Sequence, residues 1–189
     1  MKIVVLPAAM ILIIYYHCRI AGSVMLIQVR SFGELDFDAL MEIYIEGNVE
    51  NAEYLYPEET KEAGLSLAVR DFRNFLCEKF FTREAAQYWI LAEGDAYISA
   101  LRLEKHPDGL LLEALETRPE YRRQGYAKRL IQAVLKALPA NTKIYTHVSK
   151  RNTASLATHR SCGFTQSLDY VVEEDGTVCD TRVTFTINT

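Results

Sequence analysis

Apolar and polar residues follow two periods along this chain, a period of two in short stretches and a helical period in longer ones. The helical spacing is clearest from Ala127 onward, where apolar side chains recur every three or four positions until Pro139 ends the pattern. The same spacing predicts a long helix over 58–81 and a short helical face between Leu35 and Tyr44. Polar and aromatic residues predict a loop over 48–57. Strands are predicted at 26–32, 87–92, 96–103, 110–117, 143–149, 168–173 and 178–187, the last two forming a hairpin.

This order of elements predicts one domain over residues 25–189, preceded by an apolar extension over residues 1–24. The apolar run 3–16 is shorter than the about 20 residues that a bilayer-spanning helix needs. It has the character of the apolar part of a secretory signal, followed by small residues. Alternatively, Met25 is the natural start, or the segment packs on the domain or on a neighbouring subunit. We expect an extension outside the domain.

Composition narrows the classes of function. A chain of 189 residues with 49% hydrophobic residues can bury a substantial core. Its net charge of −4 argues against a nucleic-acid binder that neutralises phosphates along a duplex. Cys18, Cys77, Cys162 and Cys179 show no metal-ligand spacing, which predicts free thiols in a reducing compartment and no metal.

The turn at residues 122–127 is the first chemical signal. Its sequence is Arg-Arg-Gln-Gly-Tyr-Ala, and it lies between the strand 110–117 and the start of the clearest helix. A glycine turn at a helix N-terminus points several backbone N–H groups outward, and the helix dipole adds positive potential, so the turn suits an anion. Arg122 and Arg123 add positive charge beside it. The alternative is a solvated loop with two surface arginines.

The second signal lies one strand later, over residues 152–164. Asn152 is a good N-cap for a short helix, and Gly163 is a good C-terminal stop. The predicted order is therefore strand, anion-binding turn, helix, strand, capped short helix, glycine and aromatic residue.

These two motifs together resemble the signatures of the GCN5-related N-acetyltransferase (GNAT) superfamily. The first signature, Arg/Gln-x-x-Gly-x-Gly/Ala, is matched by residues 122–127. The second is matched by Asn152, Ser155, position 159 and Gly163-Phe164. The resemblance implies an α/β fold of the α+β kind, with a mixed, mostly antiparallel central sheet of six to seven strands flanked by about four helices. The sheet would be splayed between its fourth and fifth strands.

The resemblance also implies acetyl-coenzyme A (acetyl-CoA) as the acyl donor and assigns residues to its binding. Backbone N–H groups around Leu115 to Thr117 would stabilise the developing oxyanion. The implied binding residues are Leu115, Thr117, Arg122, Arg123, Gln124, Gly125, Tyr126, Ala127, Lys128, Asn152 and Ser155.

Three residues are candidates for acid–base chemistry. Glu113 and Glu116 lie on the predicted strand 110–117, and either could take the proton of an amine. An odd spacing places them on opposite faces of a regular strand, so both face one cleft only if a bulge intervenes. Many family members carry tyrosine where this chain has His159, and that tyrosine is thought to protonate the leaving thiolate. Histidine titrates near neutral pH and can do the same, or it fills space on a helix face.

The implied function is transfer of an acetyl group from acetyl-CoA to a primary amine of a small molecule or peptide, by direct attack in a ternary complex. The alternative is a non-catalytic acyl-CoA sensor with the same fold. The partners would be acetyl-CoA and an amine acceptor, without nucleic acid or membrane, in the cytoplasm, with a homodimer left open. The acceptor site would draw on Tyr54, Tyr56, Trp89 or Tyr170, although core packing is the stronger interpretation for Trp89.

Overall fold

The computed structural model of the protein describes residues 24–173 and 175–189, so the predicted apolar extension lies outside the described residues apart from Val24. The described chain forms nine strands and five α-helices. The strands are β1 (Val24–Val29), β2 (Gln87–Glu93), β3 (Ala96–His106), β4 (Gly109–Thr117), β5 (Lys143–Ser149), β6 (Thr165–Leu168), β7 (Val171–Val172), β8 (Val178–Cys179) and β9 (Arg182–Asn188).

Seven strands form one sheet in the order β1-β2-β3-β4-β5-β9-β6. Neighbouring strands are antiparallel except β4 and β5, which are parallel. β7 and β8 form a separate two-stranded hairpin. This mixed, mostly antiparallel sheet confirms the predicted fold class.

The five helices are α1 (Phe37–Ile43), α2 (Ile45–Leu55), α3 (Lys61–Asn74), α4 (Tyr126–Ala137) and α5 (Thr153–Ser161). Side chains cap several of them. Asp36 accepts from the Ala39 N–H at 3.0 Å at the start of α1, and Thr60 accepts from Ala63 N–H at 3.3 Å at the start of α3. α3 continues through a π turn at Phe75–Lys79 and a short 3₁₀ turn at Phe80–Thr82, so the long helix predicted over 58–81 changes its winding near its end.

One sequence prediction about elements is wrong, and another holds only in part. The loop predicted at 48–57 lies mostly in α2, which packs against α3 where Gly64 allows close approach to Ala52. The predicted C-terminal hairpin is divided, because a turn at Asp180 and Thr181 separates β8 from β9. β8 therefore pairs with β7, while β9 pairs with β5 and β6.

The sheet separates two hydrophobic clusters. Residues of β2 alternate between them: Tyr88 and Ile90 pack with α1 and the end of α3, while Trp89 and Leu91 pack with α4. The fully buried side chains include Leu40, Ile43, Leu76, Leu101, Leu130 and Phe185. The sheet thus has an α1–α3 face and an α4–α5 face, and both faces meet at the site described below.

β4 and β5 pair over only three residues each. Leu110, Leu111 and Leu112 pair with Ile144, Tyr145 and Thr146, after which no residue of β4 is paired with β5 in the described chain. The C-terminal halves of the two strands therefore separate, as predicted for the fourth and fifth strands.

Three further observations concern the described residues only. No helix there is long and apolar enough to cross a membrane. No group of three or more His, Cys, Asp or Glu side chains there could hold a metal ion. Cys77, Cys162 and Cys179 are free thiols, while Cys18 lies outside the described residues.

Candidate functional site

A cleft of about 320 Å³ opens where β4 and β5 separate. Residues 112–115 of β4 form one wall, residues 146–149 of β5 form the other, and α5 closes one end. Five further polar or charged side chains reach it from other elements or from the loop before α5: Arg102 of β3, Asn152, Ser155 and His159 of α5, and Arg182 of β9. We refer to this site as the β4–β5 cleft.

The β4–β5 cleft has two chemically different sides. On β5, Val148 belongs to the cluster on the α4–α5 face, so its neighbour His147 points to the α1–α3 face. On β9, Val183 belongs to the same cluster, so Arg182 also points to the α1–α3 face. Asn152, Ser155 and His159 instead come from the α5 side.

A β-bulge in β4 settles the orientation of the two glutamates. Glu113 pairs with Arg102 and Glu116 pairs with Ala100, so three steps along β4 match two steps along β3. Ala114 has a φ of 50°, in the left-handed region. The bulge therefore places Glu113 and Glu116 on one face of the sheet. In a regular strand their odd spacing would place them on opposite faces.

The bulge also leaves part of the β4 backbone outside the pairing with the neighbouring strands. Neither Ala114 nor Leu115 is paired with a residue of β3 or β5 in the described chain. The Tyr44 hydroxyl donates to the Ala114 carbonyl oxygen at 2.6 Å, which fixes the orientation of that peptide. Leu115, predicted as a binding residue, lines the cleft, whereas Thr117 is buried with its hydroxyl 2.9 Å from that of Ser99.

The turn at residues 122–127 ends in the first residues of α4. Gly125 is the N-cap residue with a φ of 82°, and the first intrahelical bond runs from the Arg129 N–H to the Gly125 carbonyl oxygen at 3.0 Å. The N–H groups of Tyr126, Ala127 and Lys128 therefore precede the first intrahelical donor, and Gly125 has no side chain to cap them. A Cβ at Gly125 would meet no atom within 4 Å, so the space beside this glycine is open.

The arginines near this turn differ in their partners. Arg122 donates through Nε to the Thr117 carbonyl oxygen at 3.0 Å, and its Nη groups bind Glu46 and Glu116. Its charge is thus already matched by two carboxylates, which the sequence did not indicate. Gln124 donates to the Glu120 carbonyl oxygen at 3.0 Å. Arg123 and Lys128 are exposed and form no ion pair within the described residues.

α5 begins as the sequence predicts. The Asn152 side chain accepts from the Ser155 N–H at 2.9 Å, and Gly163 ends the helix region with a φ of 95°. Ser155 and His159 lie one turn apart on the side of α5 that faces the cleft.

The hydrogen bonds of His159 fix its tautomer. Its Nδ1 lies 2.9 Å from the Ser155 carbonyl oxygen, and because a carbonyl oxygen only accepts, Nδ1 carries the proton. In the neutral ring Nε2 is then an acceptor, and it is buried without a partner in the described chain. Burial lowers the pKa of His159, against a smaller raising effect of the Ser155 carbonyl. Donation from Nε2 would require the imidazolium form, which burial disfavours.

Both candidate glutamates are held by guanidinium groups. Glu113 Oε2 accepts from Nε and Nη2 of Arg102 at 3.2 and 3.0 Å. Glu116 Oε1 accepts from Arg122 Nη2 at 3.2 Å and from the Thr117 N–H at 3.1 Å. Only Glu113 lines the β4–β5 cleft.

Among the cleft residues that the sequence did not indicate, three carry basic side chains: Arg102, His147 and Arg182. Each comes from a different strand and none belongs to a motif, so only the sheet order brings them together. The Arg102 side chain is 17% exposed and lies over the rings of Phe75 and Phe80. Arg182 forms an ion pair with Glu173.

The four aromatic residues predicted for the acceptor site differ in their surroundings. Trp89 is buried in the core on the α4–α5 face, as the core-packing interpretation held. Tyr54 is exposed on α2, and the Tyr56 hydroxyl donates to Asp71. None of these four residues lines the β4–β5 cleft.

Comparison with known proteins agrees with this architecture. Residues 37–164 match the model of the "Acetyltransferase (GNAT) family", which is more than half of the chain. No curated protein matches the sequence. The PaiA N-acetyltransferase of Thermoplasma acidophilum, solved in complex with coenzyme A, is 14% identical with a TM-score of 0.58, and the match covers 89% of this chain and 100% of that one.

Two Bacillus cereus structures are similar to a comparable degree. A GNAT-family acetyltransferase from strain ATCC 10987 is 18% identical with a TM-score of 0.54, covering 89% of this chain and 99% of that one. The IAA acetyltransferase from strain ATCC 14579 is 14% identical with a TM-score of 0.53, covering 88% and 100%. At these identities the likeness shows the fold.

Proposed function

Because the chain belongs to the acetyltransferase (GNAT) family, we propose that it transfers an acetyl group from acetyl-CoA to a primary amine of a small molecule or peptide. The observation that carries the proposal is the β4–β5 cleft, which opens where a parallel strand pair stops pairing. The amides at the start of α4, which have no intrahelical partner, follow β4 along the chain after the 3₁₀ turn at Pro119–Tyr121.

The turn at residues 122–127 suits the diphosphate of acetyl-CoA. The N–H groups of Tyr126, Ala127 and Lys128 and the helix dipole would bind the phosphates, with Arg123 and Lys128 adding positive charge. Arg122 and Gln124 would shape the turn rather than contact phosphate, because their side chains are bonded within the protein. The pantetheine arm would then lie along the cleft beside Leu115, Asn152 and Ser155.

The chemistry requires a neutral amine, donors for the carbonyl oxygen and a proton for the leaving thiolate. The amides of Ala114 and Leu115, outside both ladders, are our candidates for the oxyanion donors. Glu113 and Glu116 would attract the acceptor's ammonium group. We place His159 beside the thioester, where neutral Nε2 can accept a hydrogen bond. The resemblance to the family implies a stronger role for it, as the acid. We expect the protein in the cytoplasm, where acyl-CoA is made and used.

One observation favours a second function, that of an acyl-CoA sensor. Both predicted bases are held by arginine, and His159 has no proton on Nε2 in its neutral form. A sensor would keep the diphosphate site and release no thiol.

A panel of amines separates the two functions. Purified protein would be incubated with acetyl-CoA and each amine, and free thiol would be measured, while calorimetry gives the acetyl-CoA affinity. Thiol release with at least one amine, together with an acetylated product by mass spectrometry, supports the transferase. Tight binding without release across the panel supports the sensor, and absence of binding contradicts both.

A further inference from the structure

His147 is an imidazole in the β4–β5 cleft to which the chemistry above gives no role. It is half-buried on β5 and faces the side of the cleft that carries Arg102, Glu113 and Arg182. Its ring forms no hydrogen bond or ion pair with any described residue, and its centroid lies 5.4 Å from that of the Tyr145 ring. A histidine in a polar cleft without a partner has both ring nitrogens available to a ligand.

Charged groups surround His147 from three strands. Burial lowers the pKa of His147, Arg182 on β9 and His106 on β3 lower it further, and Glu113 on β4 raises it. The ring is therefore neutral at physiological pH, the form that can accept a proton. Glu113 and Glu116 differ from His147 in their contacts, because one oxygen of each carboxylate already accepts a hydrogen bond from a guanidinium group.

We propose that His147 is the general base that takes the proton from the acceptor amine. The inference rests on the proposed acetyl transfer and adds a catalytic residue to it. Glu113 has a second carboxylate oxygen outside its bond to Arg102, and this oxygen would hold the ammonium group close to His147.

The proton balance is complete without a further reactant. The acceptor enters as an ammonium ion and loses one proton to a His147 ring nitrogen, which passes it to solvent. The amine nitrogen then forms a bond to the thioester carbonyl carbon, and the carbon–sulfur bond breaks. The second nitrogen proton ends on the sulfur, so the products are an amide, a thiol and one proton in solution.

The test compares His147→Gln with His106→Gln. Both replace a histidine near the cleft, but His106 lies outside its lining and is bonded to Glu104 at 3.1 Å. Because His106 lowers the pKa of His147 only as the smallest of the causes, its replacement should raise that pKa slightly and leave His147 in place as a base. We would measure kcat/KM from pH 5.5 to 9.5 with the best acceptor of the amine panel, the acetyl-CoA affinity and the thermal unfolding midpoint. A general base contributes about 10²–10⁴-fold, so we expect a loss of about that size at pH 7 for His147→Gln only.

The pH profile shows whether the loss is catalytic. In the wild type, kcat/KM should decrease as the pH is lowered through a histidine-like pKa, which lies below 6.5. In His147→Gln, kcat/KM should instead rise with pH until the amine itself deprotonates, so that the two proteins have similar values near pH 9.5. Unchanged acetyl-CoA affinity is expected. A profile of His147→Gln that matches that of His106→Gln overturns the inference and leaves the proposed transferase intact.

A second variant covers a failure of His147→Gln to fold. Arg182→Gln removes a cation that lowers the pKa of His147, so the acid limb of the wild-type profile should move to higher pH. An unmoved limb overturns the inference. A wild type that binds acetyl-CoA but acetylates no amine overturns the proposed function, and the inference with it.

Discussion

At the scale of single residues, one hydrogen bond determines what His159 can do. The sequence left two roles open for this histidine, which stands where many relatives carry tyrosine: a substitute acid, or a side chain that fills space on a helix face. The structure puts the proton on Nδ1, toward the Ser155 carbonyl oxygen, and stacks the ring on Phe185 at 6.3 Å and edge-on to Phe164 at 5.3 Å. The buried neutral ring carries its lone pair on Nε2, so an acid role would need a charged form that burial disfavours.

We therefore expect His159→Phe to lower turnover at pH 7 by far less than the about 100-fold that loss of a general acid would cause. Phenylalanine keeps the ring contacts with Phe164 and Phe185, and the acetyl-CoA affinity should stay the same. Steady-state kinetics with the best acceptor would measure this. A loss of about 100-fold or more, with intact affinity, would instead establish His159 as the acid that the family resemblance implied.

At the scale of elements, the junction of β4 and α4 depends on Gly125. A substitution there meets no atom, so its effect comes from the φ of 82° and from charge. Asn and Asp tolerate this conformation about equally well, which makes Gly125→Asn the matched control for Gly125→Asp. Two unit charges about 4 Å apart interact by about 4 kcal/mol at an effective dielectric constant of 20, and solvent reduces this value.

We expect Gly125→Asp to weaken acetyl-CoA binding at least about tenfold more than Gly125→Asn does, a difference of about 1.4 kcal/mol. Isothermal calorimetry on both variants would measure it, and the difference should shrink as salt is added. Equal affinities would show that the phosphates bind elsewhere.

The bulge in β4 is the second structural requirement of the cleft. Ala114 adopts a φ of 50°, which a β-branched side chain disfavours strongly. Ala114→Val should reduce the free energy of unfolding by about 1–3 kcal/mol, whereas Ala114→Gly should change it by less than about 1 kcal/mol. Urea unfolding of the three proteins tests this. A valine variant as stable as the wild type would mean that the left-handed conformation at position 114 is not needed for the stability of the fold.

Local sequence signals predicted the elements that carry the motifs, but they failed where tertiary contacts determine whether an element forms. The strand 143–149 and the cap at Asn152 are confirmed, because alternation and capping are local effects. α2 was missed because its helical stripe is weak. Tyr54 and Leu55 are exposed, and the helix is stabilised by packing on α3 through the Ala52–Gly64 contact. No local pattern records a contact between two helices.

At the scale of the whole molecule, the same limit applies to the site. The diphosphate-binding turn and α5 could be predicted because each is one continuous segment. Arg102, His147 and Arg182 could not, since they converge from β3, β5 and β9 only through the strand order of the sheet. The partners of Arg122 were also hidden, because Glu46 lies on the helix that the sequence did not indicate.

Folding also couples to pH through this region. His147 and His159 both have a lowered pKa in the folded protein, so the unfolded chain binds more protons as pH falls through the unfolded value of 6.5. Stability is then complete above pH 6.5 and decreases below it, by at most about 1.36 kcal/mol per pH unit for each histidine. Glu104, whose pKa is lowered by Arg83 and His106 against its burial, adds its own loss only below about pH 4.5.

The histidines lower stability below pH 6.5 and Glu104 only below about pH 4.5, so the contribution of His159 can be measured between these two pH ranges. Urea unfolding at several pH values between 7.5 and 5 should give a free energy that falls with pH in the wild type and falls less steeply in His159→Phe. The slopes are compared rather than the absolute stabilities, because the substitution also changes packing against Phe185. Parallel slopes would show that His159 is protonated as easily in the folded protein as in the unfolded chain. That result would make the imidazolium available in the cleft and would return the role of acid to His159.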